Sequence, residues 1–283
     1  MKTIVATMDI ETGEETVIFT SEHHLEAPNW TPDGKMLLVN GEGRLYRLSF
    51  SEPVLQVIDT GFADRLNNDH GISPDGTLLV ISDASRTDES CIYTVPVNGG
   101  APQRVTDNVP SYWHGWSPDG STLAYVARRP ETEGTFQVFT CPVSGESENQ
   151  ITENFDHCDG PDFTPDGAWI WFNGERRDGK GGSSVQLWRM RPDGANLQQM
   201  TRDKRVNWFP HPSPDGRFIA YLAYEAGTRG HPANRNVELR LMPAEGGSPR
   251  VLLSLFGGQG TINVPSWAPD SRRFAYVRYE PEV

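Results

Sequence analysis

Long apolar runs are missing from this 283-residue chain. No stretch approaches the ~20 residues that carry a helix across a bilayer, so no membrane partner is expected. Cysteine is scarce, with three residues, too few for a disulfide framework. Cys91 and Cys141 fall in short apolar runs, where a small buried side chain is the ordinary expectation. Positive charge is outnumbered, with 25 Lys and Arg against 38 Asp and Glu. The resulting net charge of −13 argues against nucleic acid as a partner. The opening stretch MKTIVATMDIETGEE lacks the apolar core and cleavage site of a signal peptide, and a cytoplasmic location is expected. A G-x-S-x-G nucleophile elbow and an H-E-x-x-H zinc motif are both absent. The Gly-rich stretch GERRDGKGGSS has no phosphate-loop spacing and reads as a loop.

What the chain does have is a repeated turn. It reads WTPDG, ISPDG, WSPDG, FTPDG, PSPDG and WAPDS, with turn prolines at Pro32, Pro74, Pro118, Pro165, Pro214 and Pro269. The intervals are 42, 44, 47, 49 and 55 residues, a period that marks a repeat architecture. Pro presets the backbone for the turn, Asp bonds back to nearby amides and Gly tolerates positive φ. After each turn comes a nearly continuous apolar run such as TLLVISD or RFIAYLAY, the signature of a strand buried on both faces. A loop, a third strand, a tight turn and a short fourth strand follow. Four strands per repeat predict an all-β, six-bladed propeller.

The count closes at the ends. The last repeat stops after its second strand, while the first turn is preceded by TIVATMDIETGEETVIFT, a strand, a turn and another strand. One domain over residues 1–283 is expected, its last blade shared by residues 3–20 and 262–280. Such closure pairs two otherwise bare strand edges. The turn units and strands resemble the six-bladed propeller of TolB and its relatives over nearly the whole chain. The resemblance implies the fold and leaves function open, since one propeller scaffold serves binding, scaffolding and catalysis.

The seven histidines fall on the face of the ring that carries the long loops, where function is expected. Aligned on the turn proline, His70 and His114 share the slot four residues before it in neighbouring blades. The slot six before it holds Glu26, Asn68, Tyr112, Asp159, Trp208 and Asn263. Simple strand alternation puts these two slots on one side of the inner strand. His70, His114, His157, Asp159 and His211 are therefore candidate ligands for a divalent transition metal, Mn, Zn or Fe. The bland alternative is that each histidine satisfies neighbouring backbone groups. His231, in GHPAN, reads as ordering its own loop. Asn68, Tyr112, Trp113, Asn207, Trp208 and Asn263 are candidate ligand-binding residues, the aromatics offering flat surfaces to a sugar. Arg128 and Arg177 are candidates for an anionic group.

Two functional classes follow. The first is a binding propeller that holds a small molecule, saccharide, metal or protein partner at a histidine-rich mouth. The alternative rests on a second resemblance, to oligogalacturonate lyases, which implies a metal-dependent carbohydrate-active enzyme. There a metal would neutralise the uronide carboxylate while a base removes the adjacent proton in β-elimination. The lyase ligands do not map one for one onto this chain.

Overall fold

The computed structural model describes residues 1–179 and 184–281. Five antiparallel four-stranded sheets and one three-stranded sheet follow each other along the chain. Their inner strands are Glu26–Trp30, Leu66–Ile72, Ser111–Trp116, Phe155–Phe163 and Val206–Pro212 in blades one to five. Among the described residues, helical structure is limited to the 3₁₀ turn Pro130–Thr132.

The sixth blade is built from both ends of the chain. Arg273–Glu280 pairs antiparallel with Lys2–Asp9, in register from Lys2 opposite Glu280 to Asp9 opposite Arg273. Lys2–Asp9 pairs in turn with Glu15–Ser21. The innermost strand of this blade is reduced to a bridge between Trp267 and Phe274. The expected closure is therefore present.

The turns have one construction. In each of the first five a hydroxyl, from Thr31, Ser73, Ser117, Thr164 or Ser213, donates to the turn Asp at 2.6 Å. The same carboxylate accepts the amide two residues on, as Asp166 does from Ala168 at 2.9 Å. The turn glycine has positive φ and sits over the turn proline of the preceding blade. A Cβ on Gly216 would lie 3.5 Å from Pro165, and one on Gly34 would lie 3.8 Å from Pro269. The second contact carries the ring across the junction between the last blade and the first.

The core lies between blades. Each second strand is buried on both faces, as in Leu37, Leu38 and Val39, all without exposure. Trp113, Tyr125 and Phe139 of blade three, for example, pack with Val80 and Ile92 of blade two.

Simple alternation fails in the inner strands. Register slips between Glu26 and Asn29, Leu66 and His70, Trp113 and Gly115, Asp159 and Asp162, and Trp208 and His211. A bulge inserts an extra residue and re-aims the side chains beyond it. In blade two the slots six and four before the turn proline therefore part, Asn68 bordering the central cavity and His70 not, which corrects the expectation from period two there, while in blade three Tyr112 and His114 keep the shared side. In blades one, four and five the residue five before the turn proline has positive φ. Gly160 (φ 58) suits this, while Ala27 (φ 52) and Phe209 (φ 54) are held there despite their Cβ.

Candidate functional site

The bulged inner strands surround a cavity of about 320 Å³. Blade two gives it Asn67, Asn68 and Asp69, and blade three gives Tyr112 and His114. Blade four gives His157 and Asp159, and blade five gives Phe209. His231, Gln259 and Asn263 reach it from long connections, and Val126 and Phe136 complete the wall.

Asp159 is the hub. His114 Nε2 donates to its Oδ1 at 2.8 Å, while His231 and His157 Nε2 stand 3.4 and 3.7 Å from Oδ2. The Gly160 amide donates to Oδ1 as well. Burial alone would raise Asp159, but the His114 charge and the imidazole hydrogen bonds outweigh it and hold the carboxyl well below its usual range. His114 donates from its other nitrogen to the Asn263 carbonyl at 3.3 Å. Two acceptors on one ring favour the imidazolium. Burial opposes that charge, yet Asp69 and Asp159 prevail and raise His114 to about 9. A buried imidazolium–carboxylate pair thus bridges blades three and four.

Asp69 differs. Its Oδ2 accepts from the Asn67 amide at 2.9 Å. Among the described residues its other oxygen has no hydrogen-bond partner. Burial pushes Asp69 up to about 7, with His114 pulling down and Asp159 pushing up. Asn68 is also buried, with 4% exposure, and borders the same space with no side-chain partner among the described residues.

The structure brings together His114, His157, Asp159, Asn68, Tyr112 and Asn263 of the sequence candidates. The rest stand elsewhere. His70 is fully buried outside the cavity wall, and neither ring nitrogen meets a partner at hydrogen-bonding geometry. Burial pushes it down to about 4, the Leu38 backbone pulling weakly the other way. His211 is committed to Asp162 at 3.1 Å and to the Ile262 carbonyl at 2.6 Å. Trp113 packs on Gly71, where a Cβ would lie 2.2 Å from its ring. Asn207 bonds to Gln186, Thr201 and Asp203. Trp208 is buried behind the wall, its ring 4.5 Å from that of His231. Arg128 pairs with Glu89 at 2.8 Å, and Arg177 with Glu133 at 2.7 Å.

Sequence reasoning missed Asp69 and undervalued His231. Asp69 occupies the slot between the two that were aligned, and only the bulge turns it inward. Within the described residues no group of three or more His, Cys, Asp or Glu is arranged to hold a metal ion. His114 is hydrogen-bonded to Asp159, His231 stands 3.4 Å from its second oxygen and His157 stands 3.7 Å from it without a hydrogen bond, so the carboxylate lies between the three imidazoles. The donor set does not fit a metal in this arrangement.

Comparison with known proteins agrees with the architecture. The family model described as the TolB beta propeller domain matches residues 114–240. An uncharacterized protein of Agrobacterium fabrum, Atu1656, is 44% identical over 282 residues, covering 99% of this chain and 94% of its own. A solved structure from Agrobacterium tumefaciens, provisionally assigned as TolB, is 44% identical with a TM-score of 0.94, covering 100% of this chain and 99% of its own. The Tol-Pal system protein TolB of Francisella tularensis is 23% identical over 91% of this chain, which spans 57% of that protein's length. An oligogalacturonate lyase in complex with manganese shares the fold, with a TM-score of 0.58 at 19% identity, over 89% of this chain and 72% of its own. With blades, turns and closure in place and a 44% identical relative matched nearly end to end, the chain belongs to the TolB β-propeller family.

Proposed function

We propose that the protein is a binding propeller that captures a small polar ligand in the cavity around Asp159. The observation that carries this reading is the set of buried polar groups left without protein partners beside aromatic walls. Asn68 and the free oxygen of Asp69 border the same space as the rings of Tyr112, Phe136 and Phe209. These polar atoms open onto the cavity, where a ligand that bonds to them takes the place of water. Aromatic faces supply apolar contact area around those few polar points, the usual make-up of a small-molecule site. The ion pair of His114 and Asp159 fixes the walls of blades three and four relative to one another, so this side of the site is preformed.

The alternative is a metal-dependent enzyme of the oligogalacturonate-lyase type. Convergence of His114, His157, His231 and Asp159 is what favours it. A uronide, however, brings its own carboxylate. The cavity wall presents Asp69 and Asp159 and neither Lys nor Arg among the described residues. Without a cation such a substrate is repelled.

Titration calorimetry separates the two. The binding reading expects uptake of a small polar ligand without added metal, weakened by Asn68→Ala. One-to-one binding of Mn, Zn or Fe, abolished by Asp159→Asn and followed by unsaturated products from oligouronides, would establish the lyase reading instead.

A further inference from the structure

The charges around the cavity do not balance once Asp69 is ionised. Asp159 has the His114 imidazolium at 2.8 Å, with His231 and His157 turned onto its second oxygen. Asp69 has only the neutral Asn67 amide as a side-chain partner, at 2.9 Å. The imidazoles nearest to it in charge, His114 and His231, are both directed at Asp159. The other groups acting on Asp69, Asp159 and Glu26, are acidic. Asp69 is 95% removed from solvent, at 5% exposure, so water does not neutralise it fully.

Three aromatic rings share this space: Tyr112, Phe136 and Phe209. Phe209 is held at φ 54, a backbone conformation that costs a side chain free energy. Its amide donates to Asn173 Oδ1 at 2.9 Å, which pins the ring in the wall. Asn68, buried and unpartnered beside Asp69, offers one donor and one acceptor group to whatever lies there. A buried carboxylate beside aromatic faces is the chemistry that recognises a cation with an apolar body.

We propose that the ligand carries a protonated amine, held by Asp69 among the rings of Tyr112, Phe136 and Phe209, with Asn68 bonding to a neighbouring polar group. This rests on the binding reading above and names its ligand class. An ammonium supplies the missing countercharge without disturbing the pair between His114 and Asp159. A carboxylate or phosphate ligand would meet two carboxylates and no free cationic side chain on the wall.

The test uses isosteric pairs that differ only in –NH₃⁺ against –OH. These are benzylamine with benzyl alcohol, and 6-amino-6-deoxyglucose with glucose, measured by titration calorimetry and ligand-observed NMR at neutral pH. The amine of at least one pair is expected to bind about tenfold more tightly than its alcohol, the factor a charge-assisted bond adds over a neutral one. Asp69→Asn keeps the shape and removes the charge, and should erase that preference. Asn68→Ala should weaken both members of the pair alike, which separates the cavity from its charge and serves if Asp69→Asn does not fold. Alcohols that bind as tightly as amines overturn the ammonium proposal and leave the binding reading standing. A preference that survives Asp69→Asn overturns it too. No binding by any member overturns the ammonium proposal, and no binding by neutral polar ligands as well overturns the binding reading.

Discussion

His114 of blade three donates to Asp159 of blade four at 2.8 Å, and both groups are buried. Such a pair is a weak source of net stability, but breaking it leaves an uncompensated charge inside the protein. It therefore reports on the pH at which the inner ring holds its geometry. The raised group is His114, ordinarily at 6.5 and here at about 9. A raised folded-state value means the folded protein holds the proton more tightly than the unfolded chain. Its contribution is complete below pH 6.5 and is lost as pH rises through about 9. Thermal unfolding followed across that window should show stability falling with pH, with a slope of at most about 1.4 kcal/mol per unit for one proton. His114→Gln should flatten the slope. A wild-type profile level across the window would rule out a buried imidazolium.

The blade closure predicts a loss that no local repair can offset. Lys2–Asp9 is the middle strand of its sheet, with Arg273–Glu280 on one side and Glu15–Ser21 on the other. Val5 and Ala6 are fully buried in it. Removing residues 2–21 strips one edge of Arg273–Glu280 and opens the core around Trp30, Val277 and Tyr279. Aggregation or a large drop in unfolding temperature is expected, because a bare apolar strand edge pairs with other chains. A truncated protein that stays monomeric with an unchanged unfolding temperature would contradict the closure.

The turn carboxylates belong to the scaffold. Ser213 is fully buried, donates to Asp215 at 2.6 Å and accepts from the Phe218 amide at 3.0 Å. Ser213→Ala removes both bonds. The cost should be on the order of 1 kcal/mol, measured by chemical denaturation, since the Phe218 amide can partly recover through water. Ligand binding should be unchanged, because the turn is not part of the cavity wall. Loss of binding at unchanged stability would place the site on the turn face.

The fold was legible because its signals are local and repeated. Each turn is specified within a few residues, and five Pro-Asp-Gly copies with one Pro-Asp-Ser copy fix the blade count. The site was legible only in part. Asn68, Tyr112, Asp159 and Asn263 share one slot, six residues before the turn proline, and alignment on that proline found them. Beyond the bulge the alternation breaks, so the pairing of His70 with His114 did not survive: one is sealed in the core and the other faces the cavity. His231 comes from a connection with no repeat to align it. Asp69 carries no mark in the sequence, because its importance lies in what His114 and Asp159 do to each other.

The contact between Gly71 and Trp113 gives the last prediction. Gly71 lies directly after His70, and a Cβ placed on it would stand 2.2 Å from Trp113 Cη2 and 2.5 Å from Cζ3. Trp113 cannot retreat easily, since it is 1% exposed and packed with Val80, Ile92 and Tyr125. Gly71→Ala therefore overpacks the boundary between blades two and three, at a cost of about 1–3 kcal/mol. The strain should also reach the cavity. The Trp113 amide donates to Ser82 Oγ at 2.9 Å, and the next residue is His114. Displacing Trp113 shifts the imidazole that holds Asp159, so ligand affinity should fall together with stability. Trp113→Phe on the Gly71→Ala background makes room for the methyl group and should restore part of both. Restoration of stability without any recovery of binding would show that the indole contributes to ligand binding beyond its packing role.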